Sequence, residues 1–460
     1  MTGQSVRADD LIDAERATYR ARHPRSAALF SKADHLFGRV PMTWMTKWCG
    51  GFPLYLDSAS GARITDVDGH DYADFALGDT GAMAGHSPPP VVRAVRHRIA
   101  DLGGITAMLP SEDAEWVGEE LSRRFGLPLW SFTLSATDAN RWAIRLARAV
   151  TGKTKILVFS YCYHGSVDET FVVLDDVGQS RSRPGNVGPS VDPTGTTRVA
   201  HFNDLASVER ALGCGDVAAI VTEPALTNIG IVLPGPGFLS GLRELATTYG
   251  ALLLIDETHT FSAGPSGMTG TEGLLPDILV IGKSIGGGVP CGAYGISRSI
   301  ADRVGGLARR GLVDVDDVGG VGGTLAGNAL CTAAMRATLG EVLTAEAFDR
   351  MIELGSQYTE GVRAVIDQHG LPWSVTQLGA RAEFRYADPA PTTGNTSAAA
   401  ADSKLDEYFH LYLANRGVLL TPFHNMALMC PATERSEVDR HIYLYASAVN
   451  DLVSGIPSRA

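Results

Sequence analysis

Five segments carry residue types that could do chemistry. In Ile278–Gly295, ILVIGKSIGGGVPCGAYG, an apolar run leads into Gly282, Lys283 and Ser284 and then into three glycines. A lysine leaving a buried strand is costly if charged and unpartnered. Desolvation or a neighbouring cation lowers the pKa of such an amine from ~10.4 and makes it a Schiff-base nucleophile. A plain loop lysine is the alternative, whereas a GxxxxGK[ST] phosphate loop is excluded because position 277 is Asp277. In Ala251–Thr260, ALLLIDETHT, Asp256 ends an apolar strand, where open α/β sheets bind ligands. It could pair with a protonated ring nitrogen or be an ordinary strand-end acid. In Phe132–Val150, Ser135, Ala136 and Thr137 follow a strand and open a helix, as an anion cradle or a simple N-cap. Ile156–Gly165, ILVFSYCYHG, ends in aromatics, His and Gly that could stack a planar ring or close a core. Gly319–Asn328, GGVGGTLAGN, offers backbone to a phosphate or is a flexible linker.

Each segment alone favours its structural reading; together they describe one ligand. A Schiff-base lysine, a carboxylate for a ring nitrogen, a stacking aromatic and N–H groups for a phosphate are what pyridoxal 5′-phosphate (PLP) requires.

The elements that must position these groups follow from hydrophobic patterning. Short apolar runs at Phe132–Leu134, Ile156–Phe159, Ala218–Thr222, Leu252–Ile255, Ile278–Ile281 and Ala293–Ile296 alternate with helical stretches such as Arg141–Val150 and Phe238–Tyr249. This is the βαβ rhythm of a largely parallel sheet covered on both faces. The first forty residues read as a charged helical arm that needs a packing partner. Val-Asp-Gly-His at 67–70 marks a hairpin. Helices are expected at Cys331–Thr344, Glu346–His369 and Glu437–Val453, and surface loops at Asp176–Thr197, Gly305–Gly323 and Ala387–Asp402. The expected organisation is an arm and part of a small domain over 1–75, a large cofactor-binding domain over 76–330 and a C-terminal small domain over 331–460.

Composition narrows the partners. Of 460 residues, 39 are Lys or Arg and 51 Asp or Glu, for a net charge of −12, and no basic run is present. Nucleic acid and anionic membrane surfaces are therefore not expected partners. The 45% hydrophobic and 20% charged content supports a large core. The 52 glycines exceed the usual ~7% and call for tight turns or close backbone approaches. Six scattered cysteines without CxxC read as reduced thiols, and twelve histidines without HExxH or HxH give no metal motif. With a charged N-terminus lacking an apolar signal region, a cytoplasmic, metal-free protein is expected.

From about Gly50 to Val449 the chain resembles class III aminotransferases, fold type I PLP enzymes, and most resembles the glutamate-1-semialdehyde 2,1-aminomutase branch. GGFPLYLDSASGARITDVDGHDYADF, RLARAVTGKTKIL, CYHG, TEPALTNIG, LLLIDETHT, GKSIGGGVPCGAYG and GGTLAGN fall in the family's order. The resemblance implies a large domain with a mostly parallel sheet flanked by helices, plus a smaller α+β domain from both chain ends. It implies that Lys283 forms the internal aldimine and shuttles the proton, and that Asp256 holds the ring nitrogen protonated. Tyr163 and Thr258 would flank the ring, with His164 beside them. Ala136 and Thr137 would meet the phosphate, and Glu223 and Asn228 would lie near the cofactor's O3′ and the lysine. Thr324 would reach the neighbouring subunit's cofactor in a homodimer. The activity expected is transfer of an amino group from an amine or amino acid to a keto acid through pyridoxamine 5′-phosphate. The alternatives are an intramolecular aminomutase or a racemase/epimerase, and, from another class, a silent PLP-fold binding protein.

Two departures bear on substrate. Trp44 stands where the aminomutase has its carboxylate-gripping arginine, and DETHTFSAGPSG lacks the arginine that follows the Asp-Glu block in many relatives. A buried carboxylate needs charged or multiple donors. Trp44, Trp48, His259, Arg381 and His424 are the expected substrate contacts, which implies a bulkier, more aromatic or less acidic substrate than glutamate.

Overall fold

The computed structural model describes residues 2–187 and 192–454, residues 2–8 through their backbone alone. The chain forms two compact units: Met1–Pro88 with Arg350–Ala390 and Ala400–Ala460, and Pro89–Asp349 with Pro391–Ala399.

The larger unit is built on a seven-stranded sheet. Its order is Leu129–Thr133, Gly292–Ile296, Ile278–Gly282, Leu252–Asp256, Val217–Thr222, Lys155–Phe159 and Thr197–Ala200. Only Gly292–Ile296 runs antiparallel to its neighbours. Every residue of Val217–Thr222, Leu252–Asp256 and Ile278–Gly282 is buried, because helices cover both faces and no polar alternation is tolerated. The parallel register sets Asp256 beside Val280 and Ile255 beside Thr222. The carboxyl ends of these strands therefore share one edge, which carries Asp256, Glu223 and Lys283. The glycine turn 286–288 reverses the chain, and the antiparallel strand then places Gly292 between Gly282 and Thr133.

The interior strands lie where the apolar runs predict them. The edge strands are less legible. The strand expected at Phe132–Leu134 is Leu129–Thr133, and Thr197–Ala200 gave no clear apolar run. An edge strand has a neighbour on one side only and keeps partly exposed side chains, so its pattern is diluted. The helix expected at Arg141–Val150 spans Ala136–Thr151, capped by Ser135, whose Oγ accepts from the Asp138 N–H at 3.3 Å.

The unit boundaries differ from those expected at 75/76 and 330/331. Residues 76–88 stay with the smaller unit through the Gly61–His86 backbone pair and the 2.7 Å His86–Asp74 contact. Phe348 stacks edge-on to Phe261 at 5.3 Å, holding the segment after Val342 to the larger unit. Two segments expected to be loops are partly helical. Arg298–Arg309 takes the start of Gly305–Gly323, and Arg145 binds the Gly320 carbonyl. Gly394–Ala399 is a short helix whose Asn395 and Ser397 side chains donate to the Leu174 and Ile229 carbonyls. In the third loop, Ser180–Ser182 pairs with Val172–Leu174, and residues 188–191 lie outside the described residues.

In the smaller unit the arm is helix Thr2–Arg22, which packs along helix Ser403–Asn415 and is tied to it by the Arg16–Glu407 pair at 2.7 Å. The DG turn joins Arg63–Asp66 to Asp71–Asp74 as the sequence predicts. His23, Asp66 and His70 cluster there, with the Tyr72 hydroxyl 2.8 Å from both His23 Nε2 and Asp66 Oδ2. Among the described residues no helix is long and apolar enough to cross a membrane.

Candidate active site

Lys283 follows the last residue of a buried strand and has φ 51, in the left-handed region that non-glycine residues seldom enter. Such strain costs on the order of 1–3 kcal/mol and persists only where the surroundings impose it. The surroundings here are close-packed: a Cβ on Gly282 would lie 3.0 Å from both Ala136 N and Ala136 Cβ. Lys283 is thus tied to the start of helix Ala136–Thr151, and the alanine at 136 is accommodated because position 282 is glycine. The Lys283 Nζ lies 2.7 Å from His259 Nε2.

Asp256 is 3% exposed and fully engaged. Its Oδ1 accepts from the Thr258 N–H at 3.1 Å and the Thr258 hydroxyl at 2.6 Å. Its Oδ2 accepts from Asn140 Nδ2 at 2.8 Å and contacts His164 Nδ1 at 2.9 Å. Burial pushes the Asp256 pKa up, but His164, Thr258 and Asn140 more than offset it, so the carboxyl lies below its usual range and stays ionised. Burial opposes charge on His164, yet Cys162 and Asp256 hold its pKa well above the ordinary histidine value. His164, expected beside the ring, is therefore the partner of Asp256. Asn140 was missed in the sequence; its signal is its place one helical turn after Ala136, on the face directed at the strand ends.

Gly165 lets the CYHG turn meet the helix start. At φ 74, a Cβ there would lie 2.1 Å from Thr137 Oγ1, which accepts from the Ser166 N–H at 3.2 Å. Tyr163, at 36% exposure, presents a ring beside the strand ends, while Thr258 is buried. Glu223 Oε1 accepts from the Tyr163 N–H at 3.4 Å and Oε2 from the Thr227 hydroxyl at 2.5 Å. Arg183, also missed, donates to the Cys162 carbonyl at 3.2 Å. With the Asn228 amide oxygen turned toward it, Arg183 donates there at 2.6 and 3.2 Å. Thr324 is exposed on its glycine-rich turn, and Asn328 caps the following helix by accepting from Leu330 and Cys331 N–H.

Burial drives the Glu223 carboxyl from 4.5 up to about 7, although His164 and Thr227 pull it down. A raised carboxyl pKa means that the folded state holds a proton the unfolded chain releases. The associated stability is complete below about pH 4.5 and is lost as pH rises through about 7. In the cofactor-free protein, Glu223→Gln is expected to remove up to about 3 kcal/mol of the stability lost between about pH 5 and pH 8. Urea titrations at both pH values check this; an unchanged difference between them would refute it.

The expected substrate contacts divide. His259 belongs to the larger unit, and Trp44, Trp48, Arg381 and His424 to the smaller. Trp48 is partly buried and packs against the small core of Tyr72, Ala414 and Leu419. Trp44 is 42% exposed and stands edge-on to Phe423 at 5.8 Å. Arg381 is 1% exposed, which excludes a surface role, and donates to the Thr80 hydroxyl at 2.6 Å. Burial lowers the His424 pKa, but Glu383, 3.3 Å away, raises it above the usual value.

The donor set fits PLP: an ionised buried carboxylate for a ring nitrogen, an exposed tyrosine face, a capped helix start for a phosphate and an amine at the strand exit. A mostly parallel sheet carrying these groups along one edge is the fold type I scaffold of PLP enzymes. The pattern of the Aminotransferase class-III family matches residues 45–440, and the chain belongs to that family. It is 31% identical to the glutamate-1-semialdehyde 2,1-aminomutase of Anaeromyxobacter dehalogenans (strain 2CP-1), over 91% of this chain and 96% of that one. A crystal structure of a glutamate-1-semialdehyde-aminomutase from Pseudomonas aeruginosa PAO1 matches with TM-score 0.94 and 47% identity, covering 97% of this chain and 99% of that one. A lysine-to-alanine variant from the same source was solved in complex with PMP. An omega-transaminase from Sphaerobacter thermophilus matches with TM-score 0.83 and 29% identity, covering 93% and 98%.

Proposed function

We propose that this PLP enzyme is an aminomutase, moving an amino group between neighbouring carbons of one small amino compound. The observation carrying this reading is the 47% identity, over 97% of the chain, to a protein described as an aminomutase, against 29% to the omega-transaminase. The substrate would be less acidic than glutamate 1-semialdehyde. In support, Trp44 stands at the expected arginine position, and Arg381 is buried against Thr80.

Ala136, Thr137, Tyr163, Thr258, Asp256 and Lys283 would hold the cofactor. Once bound, PLP supplies an electron sink for the charge left when a proton leaves the substrate carbon. Asp256 would keep a negative charge against the ring nitrogen, and its four hydrogen bonds would hold the carboxylate in place without reorganisation during reaction. Lys283 Nζ takes the proton from one substrate carbon and returns it elsewhere in the same molecule. Thr324, exposed on its turn, would complete the phosphate contacts of a second copy in a homodimer.

Transamination is the second reading, supported by the family's breadth and the omega-transaminase likeness. A labelling experiment separates the two. Candidate amino compounds carrying nitrogen-15 are incubated with the holoenzyme and no keto acid. Repeated turnover to an isomer that retains the label supports the aminomutase. A reaction that stops after one turnover and resumes on adding a keto acid overturns it in favour of transamination.

A further inference from the structure

The turn after Asp256 is held on both sides by buried carboxylates. Asp256 accepts from Thr258 twice. Glu257, fully buried, accepts from the Thr260 hydroxyl at 2.5 Å, the Met268 N–H at 3.2 Å and both the N–H and hydroxyl of Thr269. Between these anchors sits His259, 8% exposed, with Nε2 2.7 Å from Lys283 Nζ. Lys283 in turn is held at φ 51. Both side chains thus start from backbone positions that the surrounding contacts fix.

At 2.7 Å one nitrogen must donate and the other accept. A lysine ammonium can only donate, so a protonated Lys283 needs the lone pair of His259 Nε2, with the ring hydrogen on Nδ1. We propose that His259 is a further catalytic residue, which accepts a hydrogen bond from the Lys283 ammonium and so steadies on Nζ the proton taken from the substrate. The proton leaves the substrate carbon, rests on Nζ and returns to substrate. His259 gains and loses none, and no other reactant is consumed. The inference rests on the PLP reading of Lys283.

The test uses His259→Leu, which removes the acceptor, and His259→Gln, whose amide oxygen restores one. Stripped protein is mixed with PLP near neutral pH, and the rise of visible absorption reports capture of the cofactor by Lys283. Losing the acceptor disfavours the ammonium, so His259→Leu is expected to capture PLP faster by roughly 10- to 100-fold, the scale of one hydrogen bond to a charged group. His259→Gln should capture within about 3-fold of wild type, and affinity for PMP, which forms no link to lysine, should be the same in all three. A merely structural histidine would give the opposite sign, with slower capture and weaker PMP binding together; that result, or capture at the wild-type rate, overturns the proposal. A wild-type protein that binds PMP but never captures PLP removes the reading of Lys283 itself.

Discussion

Lys283→Ala is expected to abolish turnover, by at least ~10⁴-fold, while leaving the protein folded and able to bind its cofactor without a covalent link. The size follows from two proposed roles falling on one atom, since Nζ would both attach the cofactor and carry the proton. Retained folding follows from the surroundings. Strand Ile278–Gly282 is buried and paired on both sides without help from the lysine side chain, and the backbone at 283 is set by the Gly282–Ala136 approach. Visible absorption, far-ultraviolet circular dichroism and single-turnover assays on the same preparation check this. Turnover within about 100-fold of wild type would mean that another group is the base.

Asp256→Asn is expected to cost ~10²–10³ in rate, or ~2.7–4 kcal/mol, by replacing a fixed charge with a dipole of the same shape. Geometry adds a second penalty. Thr258 donates twice to one carboxylate oxygen, and Asn140 and His164 face the other, so either orientation of an asparagine amide turns its NH₂ toward hydrogen-bond donors. A companion variant, His164→Gln, separates charge from packing. It leaves Asp256 held by Thr258 and Asn140, and should cost roughly 10- to 100-fold, the scale of one hydrogen bond to a charged group. Steady-state rates and PLP affinities for both variants decide. Equal losses in the two would assign the effect to packing.

Much of this site was legible before the fold. Apolar runs marked the interior strands, and Lys283 and Asp256 stand out because a charged residue ending such a run must be either wasted or used. His164 and Glu223 were legible only as neighbours of those motifs. Their roles depend on burial, which drives Glu223 up to about 7 and couples His164 to Asp256. Trp48 has neighbours that its local sequence does not show. An aromatic in an aromatic-rich run reads as a pocket wall, yet it packs on Tyr72, Ala414 and Leu419, which the sequence sets far away. The loops at 305–323 and 387–402 hold short helical stretches that the sequence hid for a related reason. Glycine and alanine lower local apolarity, but Arg145, Asn395 and Ser397 still anchor them through backbone carbonyls of residues distant along the chain.

By itself the sequence determined that a parallel α/β sheet would end in a lysine and an aspartate, because side-chain periodicity and burial are written locally. Parallel strands, all pointing one way, must bring such strand ends to a common edge. Tertiary structure alone decided what stands beside them. Asn140 and His164 reach Asp256 across 116 and 92 residues, and His259 meets Lys283 across 24. Those distances depend on strand order, one antiparallel strand and two glycine approaches. Packing chooses these, because the energy of a long-range contact belongs to the pair and has no trace in either residue's local pattern.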